Sequence, residues 1–466
     1  MNRKIWKALG IAVCMLALAA PRAMAETIMH TVTADTDFAD VVKNINASGV
    51  DDENVIELCA DITLTGEHTL KRNATIKSKD EDRKISINGR NAGITVTGEG
   101  TVLNLGANGY DKKLTIEGDT GVAFITVSEG ATANMYENVT LQNRKSTGNA
   151  CIVIMGSKSV FNMRGGVIKK CSRAVIADSG ATFHMFDGEI KDCQVNSDGV
   201  ILVNDNSKFI MEGGTISECE APMNNGGGLY AKNSSTITIT GGTISRCTVG
   251  AGGGLFVESS TIRISGGIIS ECTTSDTGNG GGLYANNSTI KITGGRIENN
   301  KAAHGGGVAL IGKTTFEKPI TNWTVIGNEA YATGGVGGGI KLENGSMDVS
   351  AGSNRIYNNT AGGQGADIFL LNDNSTIKLP NAANMYHDSS INIDGWYKDD
   401  NPRYTPSENG VGVDVSGELT GGLSLVASYK TILVRIEIDA NGGVGGSGSQ
   451  TVQKGKTVTL EAPTKE

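Results

Sequence analysis

Aromatic side chains are scarce in this sequence, at 5% of its residues. That disfavours an ordinary globular core built around large rings and fits a narrow one lined by Ile, Val and Leu. Apart from Ala8–Ala20, no apolar stretch approaches the ~20 residues that a membrane-spanning helix needs. The cysteines never occur as C-x-x-C, the spacing typical of dithiol and many zinc sites. Basic charge is also short. The chain carries 41 Lys and Arg against 49 Asp and Glu. Without Arg3, Lys4, Lys7 and Arg22 of the leader described below, 37 basic side chains remain and the net charge is −12. Such an acidic chain is a poor partner for nucleic acid or anionic lipid. Helical periodicity is missing over most of the length, where the apolar runs are short, cut by glycine and rich in Thr and Ile.

What the chain has in abundance is glycine, 65 residues of it, placed in a recurring block. In one copy Gly226-Gly227-Gly228-Leu229-Tyr230 leads through Thr236-Ile237-Thr238-Ile239-Thr240 to Gly241-Gly242-Thr243-Ile244 and Cys247. The next runs from Gly252-Gly253-Gly254-Leu255-Phe256 through Thr261–Ser265 to Gly266-Gly267-Ile268-Ile269 and Cys272. The closing motif reaches back to Cys171, Cys193 and Cys219, and forward to Asn300, Asn328 and Asn359. Self-similarity at this period marks a solenoid. Ile237 and Ile239 alternate with Thr236, Thr238 and Thr240, so each unit contains strands with one buried face. Three strands per coil, each pairing with its counterpart in the next coil, predict a parallel β-helix of about a dozen coils stacked at ~4.8 Å. Its glycines serve the corners, where positive φ is often required, and Asn runs such as Asn286-Asn287 suit the same places.

The two ends read differently. Arg3-Lys4 and Lys7, the run Ala8–Ala20 and Ala23-Met24-Ala25 form a secretory signal peptide over residues 1–25, with cleavage before Glu26. Cys14 follows Val13 and does not resemble a lipid-attachment cysteine. Residues 26–54 are expected to cap the solenoid, because Phe38, Val41, Val42 and Ile45 fall on one face of a helix over Thr36–Ala47 that Asp35 or Thr36 could cap. Residues 55–395 form the β-helix, 396–430 a terminal coil or linker, and 431–466 a separate module.

Two resemblances follow from these motifs. The Gly-Gly-x-Ile/Leu and Ile297-Glu298-Asn299-Asn300 pattern resembles the right-handed β-helix repeats of exported bacterial surface proteins, and is similar to polymorphic outer-membrane protein repeats. The tail, with Asp439-Ala440-Asn441-Gly442-Gly443, Val452…Gly455 and Pro463–Glu466, looks like the start of an internalin-type B repeat, a β-grasp-like module. The module stops half-way, so attachment to the cell envelope through sequence beyond Glu466 is an expectation. Together they imply an all-β chain: a right-handed parallel β-helix solenoid of the pectin-lyase-like type, with a short N-terminal capping helix and an incomplete C-terminal β-grasp-like module.

No residue is assigned a catalytic, cofactor-binding or metal-binding role. Cys171, Cys193, Cys219, Cys247 and Cys272 share one repeat position and should stack in one column. In-register neighbours at ~4.8 Å exceed the preferred Cβ separation of a disulfide. A ladder of small buried hydrophobes is therefore expected ahead of disulfides, and metal or redox chemistry behind both. With Cys14 removed, seven cysteines leave one unpaired in any monomer. Parallel β-helices include polysaccharide lyases and hydrolases, but their family motifs are not met here. Asp51-Asp52 lies in the cap, Asp399-Asp400 in the tail, and Ala303 precedes His304-Gly305 where Gly-His-Gly would be needed. His30, His68, His184, His304 and His387 show no repeat alignment. Gly362–Phe369 fits one copy of a calcium-binding nonapeptide, which requires tandem copies. Lys79–Lys84 reads as a solvated turn, and the Thr rows of an ice-binding face are interrupted by Arg263 and Lys291.

The expectation is an extracellular or cell-surface β-helix, adhesin-like or a stalk, presenting a surface to extracellular glycans or proteins and using no cofactor. The alternative is a carbohydrate-active enzyme. Three or more carboxylates, or carboxylates with Arg or Lys, converging in one groove on adjacent coils would overturn the first reading in favour of that alternative.

Overall fold

The computed structural model describes residues 26–119, 123–144, 150–372 and 374–379, and the strands Ile391–Lys398, Leu419–Thr420, Leu423–Thr431, Leu433–Ile438 and Gly448–Gln453. The signal peptide, His387 and Asp399-Asp400 lie outside the described residues. Alternating Ile and polar residues generate short strands, and each strand pairs in parallel with its equivalent one coil later. Leu229 meets Leu255 and then Leu283, Ile237 meets Ile262 and Ile290, and Ile244 meets Ile269 and Ile297. One coil therefore reads Leu255–Glu258 in a first sheet, Thr261–Ile264 in a second and Ile268–Ser270 in a third. The three sheets hold 14, 12 and 12 strands. This is the expected all-β parallel solenoid.

The count of three strands per coil needs correction. From Glu220–Asn225 onward a fourth, six-stranded sheet runs beside the others through Thr248–Ala251 and Thr273–Thr274 to Thr360–Ala361. The chain after the closing cysteine is long enough in these coils to lay down an extra pair of residues in register, which a period-two pattern of apolar residues does not announce.

The core is a set of columns. Leu105, Met135, Met163, Met185, Met211 and Ile239 follow one another down the second sheet, beside Phe161, Phe183 and Phe209. Those rings lie 6.2 and 5.4 Å apart. All are buried, and each such side chain contributes about 1.5–3 kcal/mol of burial. The opening glycine triplets have a different reason from the one expected. Only the first of each, as at Gly226 (φ +71°), is left-handed. At Gly228 a Cβ would stand 2.7 Å from the Gly254 carbonyl of the next coil, so close approach of coils, not backbone bending, demands glycine there.

At the N-terminal end Thr27–Val32 pairs in register with Glu53–Leu58 and begins the second sheet. Between them the helix Phe38–Ala47 buries Phe38, Val41, Val42 and Ile45, and Phe38 meets His68 edge-on at 5.1 Å. Its N-cap is Asp37, whose carboxylate accepts from the Ala39 N–H, and not Asp35 or Thr36. Thr36 instead accepts from the Thr33 N–H, closing the turn before the helix. At the other end Leu423–Thr431 pairs antiparallel with both Ile368–Leu370 and Ile391–Lys398, reversing the strand direction of the first sheet. Leu433–Ile438 and Gly448–Gln453 form an antiparallel pair; the flanking elements Asp439–Gly443 and Pro463–Glu466 lie outside the described residues.

Candidate functional site

From Val139–Gln142 onward, every third-sheet strand ends in the same corner. The residue after the strand is left-handed: Asn143, Lys170, Asp192, Glu218, Arg246, Glu271, Asn299, Gly327 and Asn358 all have φ between +51° and +66°. For a residue other than glycine this costs about 1–2 kcal/mol. The next residue turns inward and bridges the bend. The thiols of Cys193, Cys219 and Cys272 each donate to the carbonyl two residues back at 3.3 Å, and that of Cys247 does so at 3.5 Å. Asn328 and Asn359 make the same bond from Nδ2, at 3.1 and 3.0 Å. Cys and Asn interchange in this column because both are short side chains that can donate to that carbonyl.

The cysteine column forms as expected, with one correction. Cys171 is not a free member of it but is bonded to Cys151, a residue outside the column, at a Cα–Cα distance of 6.8 Å. The bond joins the connectors of two neighbouring coils, between the third sheet and the first, which column spacing does not forbid. Cys193, Cys219, Cys247 and Cys272 are free and buried, and Cys59 is free and partly exposed. Cys219 interacts through hydrogen bonds with Cys193 and Cys247, which push its thiol up together with burial. Burial likewise pushes the Cys272 thiol up, followed by its bond with Cys247. Cys247, contacted from both sides, is the member pulled down.

On the outside, the ends of the third-sheet strands line a groove that runs from coil to coil along the solenoid. A recess of about 540 Å³ is bordered by Asn88, Glu117, Asp119 and Asn143. It shares Asn143 with a cleft of about 670 Å³ lined by Arg144, Lys170, Ser172, Asp192, Gln194 and Asn196. That cleft shares Asp192 and Gln194 with a shallower depression of about 330 Å³ reaching Glu218, Glu220 and Arg246. From Asn88 to Arg246 the groove crosses seven coils, about 30 Å at the ~4.8 Å spacing of paired strands.

Its deepest part has a simple cause. Between the left-handed corner and the next first-sheet strand, the other coils from Asn143 to Asn358 have connectors of eight residues or more, whereas Cys171–Ala174 is only four. A notch opens above this short connector. Arg173 holds the far wall, donating to Gly199 O, Ser197 Oγ and Asp198 O at 3.1, 2.5 and 2.7 Å. Arg144, fully buried, lies with its guanidinium 5.4 Å from the Phe124 ring. Burial lowers the pKa of both arginines, and Asp119 and Asp198 respectively oppose the shift.

At the shallow end, Asp192, Glu218 and Glu220 converge with Arg246 on three adjacent coils. Arg246 lies 2.9 Å from Glu218 and 3.9 Å from Glu271, and all three side chains are about half exposed. Pairs so exposed are worth about 0–1 kcal/mol. Among the described residues no group of three or more His, Cys, Asp or Glu is placed to hold a metal ion, and no helix is long and apolar enough to cross a membrane.

The remaining sequence candidates scatter. Asp52 accepts from the Gly49 and Glu26 N–H groups in the cap. His30 meets Asn54, His184 pairs with Glu212 at 2.8 Å, and His304 accepts from the Val336 N–H. Burial lowers the pKa of His68 and His304. Asp367 has a structural role: its buried carboxylate accepts from both N and Nδ2 of Asn359, at 3.1 and 2.8 Å, and terminates the asparagine column. Arg263 and Lys291 interrupt the Thr rows and pair with Glu317. Arg83 pairs with Glu81 in the turn Lys79–Lys84.

Two features escaped sequence reasoning. Outward positions of the first sheet carry large apolar and aromatic side chains: Val153, Ile176, Leu202, Tyr230, Phe256 and Tyr284 succeed one another there. Tyr230 and Phe256 are nevertheless buried, with Gly199 and Gly252 close against them. The fifth position of the Gly-Gly-Gly-Leu-Tyr motif carried that signal. The groove was signalled by the residue before each column cysteine and by the short spacing after Cys171.

A family model for a right-handed β-helix region matches residues 179–395. No curated protein and no solved structure gives a match.

Proposed function

We propose that this chain is an exported β-helix of the cell surface or extracellular space, and that its corner groove binds an extended extracellular glycan. One observation carries the reading: side-chain amides, hydroxyls and charges of both signs follow one another over seven coils in a groove along the rod. A linear polymer can lie along such a groove and be held by many weak polar contacts, none of which must be strong. The leader over residues 1–25 and the resemblance to surface-protein repeats support export.

The test is a glycan array followed by titration. Replacing Lys170, Asp192 and Gln194 together by Ala should weaken binding at least about tenfold, the equivalent of 1.4 kcal/mol, while the melting curve stays in place. Retention of full affinity by this variant would remove the groove from the binding surface. Export is checked separately, by sequencing the N-terminus of secreted protein, which should begin at Glu26.

A second reading, a carbohydrate-active enzyme, is favoured by the convergence of Asp192, Glu218 and Glu220 with Arg246. Paired carboxylates are the usual acid–base equipment of glycoside hydrolysis. Release of reducing ends or unsaturated products from a polysaccharide panel, lost on Glu218→Gln or Glu220→Gln, would establish it. Retention of an uncut glycan supports binding.

A further inference from the structure

The disulfide and the free thiols stand in an order that has chemical meaning. Cys151 belongs to the coil whose corner is Asn143-Arg144, Cys171 to the next, and Cys193 to the one after. The Ser172 N–H donates to Arg144 O and the Gln194 N–H to Cys171 O, fixing that succession. Cys171 is thus bonded to a residue of the preceding coil and has the free Cys193 as its neighbour in the following one. Beyond Cys193 follow Cys219, Cys247 and Cys272 at the same repeat position, each free and buried. The column of thiols ends where Asn300 accepts from the Cys272 N–H.

We propose that this column is an intramolecular thiol–disulfide relay, along which the Cys151–Cys171 bond can be passed from coil to coil. Thiol–disulfide exchange requires a thiolate to approach one sulfur from the side opposite the leaving sulfur; stacking supplies this arrangement within the column, and at the first step it sets Cys193 one coil beyond Cys171 and Cys151 one coil before it. In the first step Cys193 loses a proton and its thiolate attacks Cys171 Sγ. The Cys171–Cys193 bond forms, the Cys151–Cys171 bond breaks, and Cys151 leaves as a thiolate that takes up a proton. No external oxidant or reductant is needed. In the second step Cys219 attacks Cys193 and releases Cys171, and Cys247 and Cys272 can follow in turn.

Coil stacking also sets the resting position. Column neighbours have Cα atoms about 4.8 Å apart, inside the disulfide range of 4.4–6.8 Å, but their Cβ atoms must close by a few tenths of an ångström to reach ~4.5 Å. Bonds within the column are therefore minor states, and Cys151–Cys171 is the ground state. The relay has two openings: Cys171 lines the deep cleft and Cys193 the shallow depression. A thiol reagent acting in the groove would change the redox state of a sulfur several coils away.

Disulfide mapping tests this on the full chain. Oxidised protein is held at pH 8.5 for the minutes to hours that uncatalysed disulfide rearrangement takes, quenched in acid, alkylated and digested for mass spectrometry. A minor Cys171–Cys193 linkage should accumulate together with alkylated Cys151. Folded Cys151→Ser, treated with one equivalent of diamide, should carry Cys171–Cys193 and Cys193–Cys219 linkages. Adding Cys193→Ala should reduce Cys171 linkages at least tenfold. The relay is wrong if Cys171 remains a free thiol in oxidised, folded Cys151→Ser. It is also wrong if the linkages include Cys59 or non-neighbours such as Cys171–Cys272 as often as neighbours, the mark of shuffling in unfolded chains. Should Cys151→Ser not fold, the wild-type experiment decides alone, and a Cys151 that never becomes alkylated overturns the proposal.

Discussion

The column inside the third-sheet corner has two halves, cysteine from Cys193 to Cys272 and asparagine from Asn300 to Asn359, on the same left-handed backbone. Each thiol closes its own bend with a weak bond, and those of Cys219 and Cys272 also reach Ile190 O and Ile244 O in the coil before, at 4.0 Å. Each amide does that kind of work and also ties coils together. Asn328 Nδ2 donates to Ile326 O, to Ile297 O in the coil before and to Asn359 Oδ1 in the coil after, at 3.1, 3.0 and 2.9 Å. Its Oδ1 accepts from both N and Nδ2 of Asn300 at 3.0 Å. The cysteine half is therefore held between coils at this position by packing, backbone ladders and long thiol contacts, and the asparagine half by packing, backbone ladders and a continuous amide ladder closed by Asp367. One repeat position can hold a solenoid together by two different kinds of physics.

Breaking the ladder in its middle should have the largest effect. Asn328→Leu leaves two donors of Asn300 and two carbonyls without partners, and at about 1–3 kcal/mol for each buried group the loss should approach 4 kcal/mol in urea unfolding. A loss below about 1 kcal/mol would mean that the ladder adds nothing to packing. Asp367→Ala orphans the Asn359 N–H alone, since Nδ2 keeps Val325 O and Tyr357 O, and should cost about 1–3 kcal/mol, whereas Asp367→Asn, which keeps an acceptor oxygen, should cost clearly less by the same assay.

Exchange between halves sharpens the contrast. Cys272→Asn places an amide beside Asn300, where it can extend the ladder, and thermal melts should show a change within about 0.5 kcal/mol. Cys219→Asn places it between thiols and should cost about 2 kcal/mol as a buried, under-satisfied polar group. Equal costs at the two positions would show that neighbours do not matter and would undo the distinction. The smallest effect belongs to Cys219→Ala, about 1 kcal/mol for its weak bonds and a small void.

How much of this could be read from the chain depends on range. The register of Leu229, Leu255 and Leu283, the capping helix and the Cys-to-Asn column were legible because each is written in a local pattern that recurs. The Cys151–Cys171 bond was not, because Cys151 stands outside the repeat position that drew attention to the others. The fourth sheet was missed because Thr273-Thr274 and Lys301-Ala302 carry no apolar alternation. The groove lies between, since Lys170, Asp192, Glu218 and Arg246 were visible as residues preceding the column. Their shared backbone twist and the notch over Cys171–Ala174 arise only when coils of unequal length are stacked.

The ladder also gives the rod a direction of mechanical weakness. Tension applied along the axis lies parallel to the hydrogen bonds between coils, so the structure yields one coil at a time, like a zip, instead of shearing many bonds together. Coils from Asn300 to Asn359 present a continuous run of amide rungs to that pull, and those from Cys193 to Cys272 only long thiol contacts at the same position. A rod stretched from its two ends should part first among its cysteine coils, beside the groove, and extend there while the asparagine segment stays wound.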